Sequence, residues 1–334
     1  MGSWSGSGKR MNLFRLMMGE GVGEDRTKTV VALLAGGRSG EREVSLKGAA
    51  GVEQALDPSK FEVRRYDPAT DLARLASEAL EIDVAFILLH GRYGEDGTVQ
   101  GFLDLLDIPY QGSGVLGSAM AMDKHVAKTL YRLHGLPVAD WELLQFGEDL
   151  DCDGLTARLG LPLVIKPVRE GSSLGMTIAH NTQELAAGID KAFSHDSRVM
   201  VEVFVRGREI TAGVIGNSEL VPLPLVEIIP GKEFAFFDYT AKYQMGASTE
   251  ICPAPVPLEV TLQIQAYALA AHRALELRGY SRTDMILAED GALYLLETNT
   301  IPGMTPTSLL PQAAAVHGLK FPALLERLLE LARE

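Results

Sequence analysis

Two carboxylates, Asp284 and Glu297, fall where they would face each other across a two-stranded hairpin, and facing carboxylates call for a cation. The apolar runs from Asp284 to Ala288 and from Ala292 to Glu297 are joined through Asp290-Gly291. Asp-Gly between such runs signals a two-residue hairpin loop, because both central positions need positive φ. That loop pairs Glu289 with Ala292, Asp284 with Glu297 and Arg282 with Asn299. Side chains alternate along a strand, so these last four emerge on one face. Like charges directly opposite destabilise a sheet, whereas the oxygens of Asp284, Glu297 and Asn299 suit a hard divalent ion such as Mg²⁺. A solvated hairpin end is the other reading of the same charges.

Further residue types with chemical potential lie at predicted strand ends. Lys166 closes an apolar run and precedes Arg169-Glu-Gly-Ser-Ser-Leu-Gly175. Backbone N–H groups of such a loop can cradle phosphates, although a strand-end lysine also reaches water with no ligand at all. Glu202 and Glu209 flank the next strand and read, by themselves, as a solvated edge. His90 opens His-Gly-Arg-Tyr-Gly-Glu-Asp96 after a buried strand, and Glu41 follows the turn Gly36–Gly40 after the first strand. Ligands bind at that edge of a parallel sheet, and a histidine capping the strand end fits His90 as well. Lys242 and Tyr243 belong to a long polar-aromatic loop, 230–249, with the length of a lid. Gly112-Ser-Gly-Val-Leu-Gly117 matches the dinucleotide fingerprint, but no second strand ending in an acid follows at the required distance. No P-loop is present, the other histidines lack metal-ligand spacing, and Cys152 and Cys252 lack a base partner.

The elements that must position these groups follow from periodicity. Val30–Ala35, Phe61–Tyr66 and Val84–Leu89 read as strands, alternating with helical patterns at 44–56 and 72–80. That alternation implies a parallel sheet covered by helices. A second unit opens with one helix, Val115–His134, and continues through strand Leu163–Pro167, a helix at 182–193 and strand Val199–Val205. A third has strands Ile210–Ile215 and Leu220–Ile229, a helix from Pro257 to Arg278, the hairpin, the loop Ile301–Thr307 and two closing helices. The 334 residues call for two or three domains, with 46% hydrophobic and 22% charged residues marking an ordinary globular composition. A net charge of −13 argues against a nucleic-acid surface, and there is no apolar run of membrane-spanning length. Two cysteines and no export signal point to a reducing cytoplasm. The Gly/Ser-rich start, 1–28, is predicted to be disordered.

Taken together, the segments resemble the D-alanine–D-alanine ligases of the ATP-grasp superfamily, over about residues 29 to 334. The resemblance is carried by Gly40-Glu-Arg-Glu-Val-Ser45, Leu89–Gly97, Ala121-Met-Asp-Lys124, Lys166–Ser173, Asp238–Tyr243, Arg282-Thr-Asp284 and Glu297–Thr305, in that order. It implies an α/β fold, α+β in its C-terminal half, with an N-terminal substrate domain (29–119) and two ATP-clamping domains (120–206 and 207–334). It implies that Lys124, Lys166 and Lys242 hold the phosphates with Ser172 and Ser173. Glu202, Val203, Phe204 and Val205 would meet the adenine and Glu209 the ribose, with Phe236 a further ATP-binding residue. Asp284, Glu297 and Asn299 become ligands of Mg²⁺ or Mn²⁺, with two ions and a monovalent cation such as K⁺ in the family pattern. Glu41 would receive the ammonium of a first D-alanine and form a hydrogen-bonded set with Ser172 and Tyr243, with His90 nearby. Arg282 and the Gly303 N–H would form an oxyanion hole, and Ser308 with the Leu309 N–H would take the second substrate's carboxylate. The implied enzyme is a cytoplasmic homodimer making D-alanyl-D-alanine for peptidoglycan, with no nucleic acid or membrane partner. Val203 stands where the family often has Lys, and Thr240 where it often has Glu. Family members using D-lactate carry Phe where Tyr243 stands, so the phenol favours D-alanine over D-lactate, with D-serine ligases the nearest alternative.

Overall fold

A computed structural model describes residues 27–231 and 248–334. Phe236, Lys242, Tyr243 and the tail 1–26 lie outside the described residues. The chain opens with β1 (Thr29–Leu34), α1 (Arg42–Ala55), β2 (Phe61–Tyr66), α2 (Leu72–Ser77), a 3-10 turn (Ala79–Glu81), β3 (Val84–Ile87) and α3 (Thr98–Leu105). β1 is central in a parallel sheet of order β2-β1-β3, and its side chains from Val30 to Leu34 are apolar and buried because helices cover both faces.

The stretch predicted as one helix divides into α4 (Val115–Met122) and α5 (Lys124–Leu133). Asp123 breaks it: its backbone is extended (ψ 99), and its side chain accepts from Val126 N, capping α5. Next come β4 (Trp141–Gln145), α6 (Cys152–Leu159), β5 (Leu163–Pro167), β6 (Thr177–Ala179), α7 (Thr182–Phe193) and β7 (Arg198–Val203), forming an antiparallel sheet of order β4-β7-β5-β6. The remainder is β8 (Gly207–Gly216), β9 (Val221–Pro222), β10 (Val226–Pro230), β11 (Ser248–Ile251), α8 (Leu258–Ala274), β12 (Gly279–Ala288), β13 (Leu293–Asn299), α9 (Leu309–Val316) and α10 (Phe321–Leu331). Its sheet runs β11-β10-β8-β12-β13, with β9 paired to β8. The strand expected over Leu220–Ile229 is interrupted between β9 and β10, where Pro224 removes a ladder donor.

The cores show which elements pack together. One cluster joins Val31, Leu33, Phe86 and Leu88 of the N-terminal sheet to Ile215, Tyr280, Leu310, Leu324 and Leu328 near the C-terminus. A second packs Ala127 and Tyr131 of α5 against Ile210, Ile264, Met285 and Leu295. The β4–β7 sheet keeps its own cluster around Leu163, Ile165, Leu185 and Val201.

The hairpin reaches the expected register by an unexpected route. Arg282 pairs with Asn299 and Asp284 with Glu297, but beyond a register shift Met285 pairs with Leu295 and Leu287 with Leu293. Ala288 N donates to Ala292 O, and Gly291 N to Ala288 O, with Gly291 at φ 88. The loop is therefore three residues, a turn closed by a left-handed glycine, and not the two-residue Asp290-Gly291 loop. Leu296 is the extra residue of a bulge that returns the pairing to register before Glu297.

Candidate active site

Asp284 is the buried centre of the hairpin face. Its Oδ1 accepts from Thr211 Oγ1 at 2.6 Å and Arg282 Nε at 2.9 Å, and its Oδ2 from Arg282 Nη2 at 2.8 Å and Asn299 Nδ2 at 3.1 Å. Glu297 lies opposite, with Lys124 Nζ 3.2 Å from its Oε2. The same Lys124 Nζ donates to the Glu170 carbonyl at 2.7 Å, tying α5 to the Gly/Ser loop. Among the described residues no cluster of three or more His, Cys, Asp or Glu could hold a metal alone. Two facing carboxylates and an amide form a partial hard-oxygen site, of the kind that phosphate oxygens and water complete, and this donor set fits Mg²⁺.

Next to this face, a cleft opens between the two antiparallel sheets. Val164, Ile178, Phe204, Ile286 and Leu296 supply apolar walls, and Lys124, Lys166, Glu202, Glu209, Asp284 and Glu297 line it with charge. The bulge explains why both Leu296 and Glu297, neighbours in sequence, face the same cleft. Val203, Val205 and Ser173 line it as well. Glu202 is not the solvated edge residue its position suggested: it is 2% exposed, and its Oε2 accepts from Lys166 Nζ at 2.6 Å. Its Oε1 makes a close ion contact with Lys128 Nζ. Burial pushes the Glu202 carboxyl up, but Lys128 and then Lys166 outweigh it, so its pKa lies below the usual value. Burial holds Lys128 down at about 8 against the pull of Glu202.

The third group of residues sits at the C-terminal edge of the parallel sheet. Glu41 immediately precedes α1 and is buried, and Ser172 Oγ donates to its Oε1 across the gap between the parallel sheet and the Gly/Ser loop. Ser172 and Ser173 both adopt positive φ, 49 and 58, which is uncommon for residues with a Cβ and marks a loop held in place by its contacts. Gly171 allows the approach, since a Cβ there would stand 2.9 Å from Glu41 Oε2. His90 is buried beside this pair. Burial keeps its imidazole pKa below the ordinary value, against the attraction of Glu41 and with help from Arg282, so the ring is neutral at pH 7.

On the far side, Ser308 precedes α9, of which Leu309 is the first residue, and its Oγ accepts from Thr305 N at 3.1 Å. Gly303 packs against it, with room for a Cβ only 3.1 Å from Ser308 Oγ. Gly112–Gly117 takes no part in the cleft. A Cβ on Gly117 would lie 2.9 Å from Leu277 Cδ2, and one on Gly112 would lie 3.3 Å from Tyr280 Cε1, so these glycines serve packing.

Two groups in or beside the site carried no signal recognised in the sequence. Glu95 accepts from Gly91 N at 2.7 Å, and burial first and Glu41 second push its carboxyl up to about 8. Its place in His90–Asp96, directly after a parallel strand, could have marked it. Lys128 stands one turn beyond Lys124 on the same face of α5, and that spacing could have paired the two.

Comparison with known proteins agrees with this geometry. A family model described as D-ala D-ala ligase C-terminus matches residues 130–330, and one described as D-ala D-ala ligase N-terminus matches residues 65–113. The chain is 60% identical over 305 residues to the D-alanine–D-alanine ligase of Desulfotalea psychrophila, covering 91% of this chain and 95% of that protein. It is 57% identical to that of Syntrophobacter fumaroxidans, covering 92% and 98%. Among solved structures, the Bacillus anthracis D-alanine–D-alanine ligase complexed with ATP superposes with a TM-score of 0.80 at 34% identity, covering 91% of this chain and 97% of that one. The VanG D-Ala:D-Ser ligase of Enterococcus faecalis gives 0.79 at 33% identity, covering 91% and 99%. The two antiparallel sheets enclosing a charged cleft, beside a parallel-sheet unit, constitute an ATP-grasp protein. Within that class, the chain belongs to the D-alanine–D-alanine ligase family.

Proposed function

We propose that the protein joins two D-alanines into D-alanyl-D-alanine at the expense of ATP, for peptidoglycan precursor synthesis. One observation carries the reading beyond family membership. The Ser172–Glu41 bond ties the Gly/Ser loop to the substrate edge of the parallel sheet, beside the end of the cleft that Lys124, Asp284 and Glu297 line. In this reading residues 29–119 bind the first amino acid, while 120–206 and 207–334 clamp the nucleotide. Glu41 accepts the ammonium of the first D-alanine, with His90 beside it, so its carboxylate faces the cleft. That carboxylate attacks the γ-phosphorus, releasing ADP and leaving an acyl phosphate. Lys124 and Lys166 hold the phosphates, as does Lys242 from outside the described residues; Glu202–Val205 take the adenine and Glu209 the ribose, with Phe236, also outside the described residues, a further ATP-binding residue. Asp284, Glu297 and Asn299 would hold two ions of Mg²⁺ or Mn²⁺, which would supply neutralisation of phosphate charge. The amine of the second D-alanine attacks the acyl carbon, and phosphate leaves. Charge grows on the acyl oxygen, where Arg282, fixed by both oxygens of Asp284, and the Gly303 N–H act as donors. Ser308 and the Leu309 N–H at the start of α9 hold the second carboxylate, which the helix N-terminus favours. Ser172, Ser173 and Tyr243 close the site against water, which would otherwise hydrolyse the acyl phosphate. A homodimer in the cytoplasm, with K⁺ as a further cation, completes the proposal. No described helix is long and apolar enough to cross a membrane.

Incubation with ATP, Mg²⁺ and D-alanine is expected to give ADP, phosphate and dipeptide in equal amounts. ATP turnover without dipeptide sinks the reading. A parallel panel with D-serine and D-lactate as second substrates tests the preference for D-alanine.

A further inference from the structure

Lys128 is a fully buried lysine, 0% exposed, that the proposed chemistry does not use. Its Nζ is anchored by a 2.9 Å hydrogen bond to the Leu295 carbonyl, on the outer edge of β13. It also makes the ion contact with Glu202 Oε1, while Lys166 Nζ holds Oε2. The contact crosses between two cores, since α5 packs with the C-terminal sheet whereas Glu202 and Lys166 belong to the sheet β4-β7-β5-β6. The three charges sum to one net positive.

This arrangement raises a question of charge. Lys166 lines the cleft and is the phosphate ligand under the ATP reading, on which this inference rests. In the structure its ammonium points at Glu202. To serve a phosphate it must loosen from Glu202, and a buried carboxylate left alone in a low-dielectric interior is heavily penalised. Lys128 cannot follow toward the phosphates, because it is enclosed and tied to Leu295. We propose that Lys128 is a reserve counter-ion for Glu202, a positioning residue that releases Lys166 to a nucleotide phosphate.

A purely structural Lys128, satisfying only the edge carbonyl of β13, would matter regardless of the charge on Glu202. The test is therefore calorimetric titration of the full-length protein with Mg·ADP and, separately, adenosine. K128M is expected to weaken ADP at least about tenfold, a factor equal to one strong charged contact, and to leave adenosine within about twofold. In the E202Q background, adding K128M is expected to change ADP affinity by less than about twofold, because no carboxylate then holds Lys166. Equal losses for adenosine and ADP, or the same loss in both backgrounds, overturn the proposal. Should K128M alone fail to fold, E202Q and K128M/E202Q still decide, since a tenfold gap between them contradicts it. An unsubstituted protein that binds neither ligand removes the nucleotide reading, and this inference with it.

Discussion

Arg282 is locked along its own strand by both oxygens of Asp284, and that bond defines what its guanidinium can do. A fixed planar donor needs no reorganisation when charge develops beside it, so Arg282→Ala is expected to lower kcat about 10²- to 10³-fold in a coupled assay for ADP. Glu95 makes a subtler statement. With its carboxyl near 8 it is mostly protonated at pH 7, because burial and Glu41 both oppose a second negative charge. A substrate ammonium on Glu41 reverses the second cause, so D-alanine binding between pH 7 and 8 should release protons. Binding enthalpies in buffers of different ionisation heat check this, and Glu95→Gln should remove the buffer dependence. Glu41 and Ser172 were legible from Gly-rich segments that follow strands, and Asp284 and Glu297 from their pairing across a hairpin. Glu95 and Lys128 were not, since a lone acid or base in a short stretch reads as solvated until distant elements are packed over it.

At the scale of elements, the hairpin shows how far a local rule carries. The Asp-Gly signal correctly announced a turn, and the pairing of Asp284 with Glu297 was as expected. The reason was different: a three-residue loop and a bulge at Leu296 offset one another. Alternation patterns cannot reveal a bulge, because one extra residue is read simply as more strand. The loop assignment has a direct check. Gly291 has open space around it and a φ of 88, so Gly291→Ala meets backbone strain and no clash. It is expected to lower stability by about 1 kcal/mol in chemical denaturation, with kcat unchanged. The division of the predicted helix 115–134 at Asp123 teaches the same lesson, for an aspartate inside an amphipathic pattern can equally cap a new helix.

For the molecule as a whole, the first and last parts of the chain share one apolar core. No window of sequence contains that fact, which arises only when β1 and β3 meet α9 and α10. The C-terminal packing also buries His272, whose Nδ1 lies 2.7 Å from Ser281 Oγ. Burial, helped by Arg273, depresses its pKa from 6.5 to about 4. Between those values the unfolded chain binds a proton that the native protein does not, so stability falls as the pH drops through this window and is intact above it. The loss reaches about 3 kcal/mol near pH 4, beyond that from paired carboxylates. Melting temperatures measured from pH 7 to pH 4.5 should fall more steeply for the unsubstituted protein than for His272→Asn.

The outlier residue at 296 stands between the hairpin's tip and its base. Met285–Leu295 and Leu287–Leu293 pair on its tip side, and Asp284–Glu297 on its base side. The tip and the base of the hairpin thereby keep separate registers, and the carboxylate pair is aligned although the loop above it is odd in length.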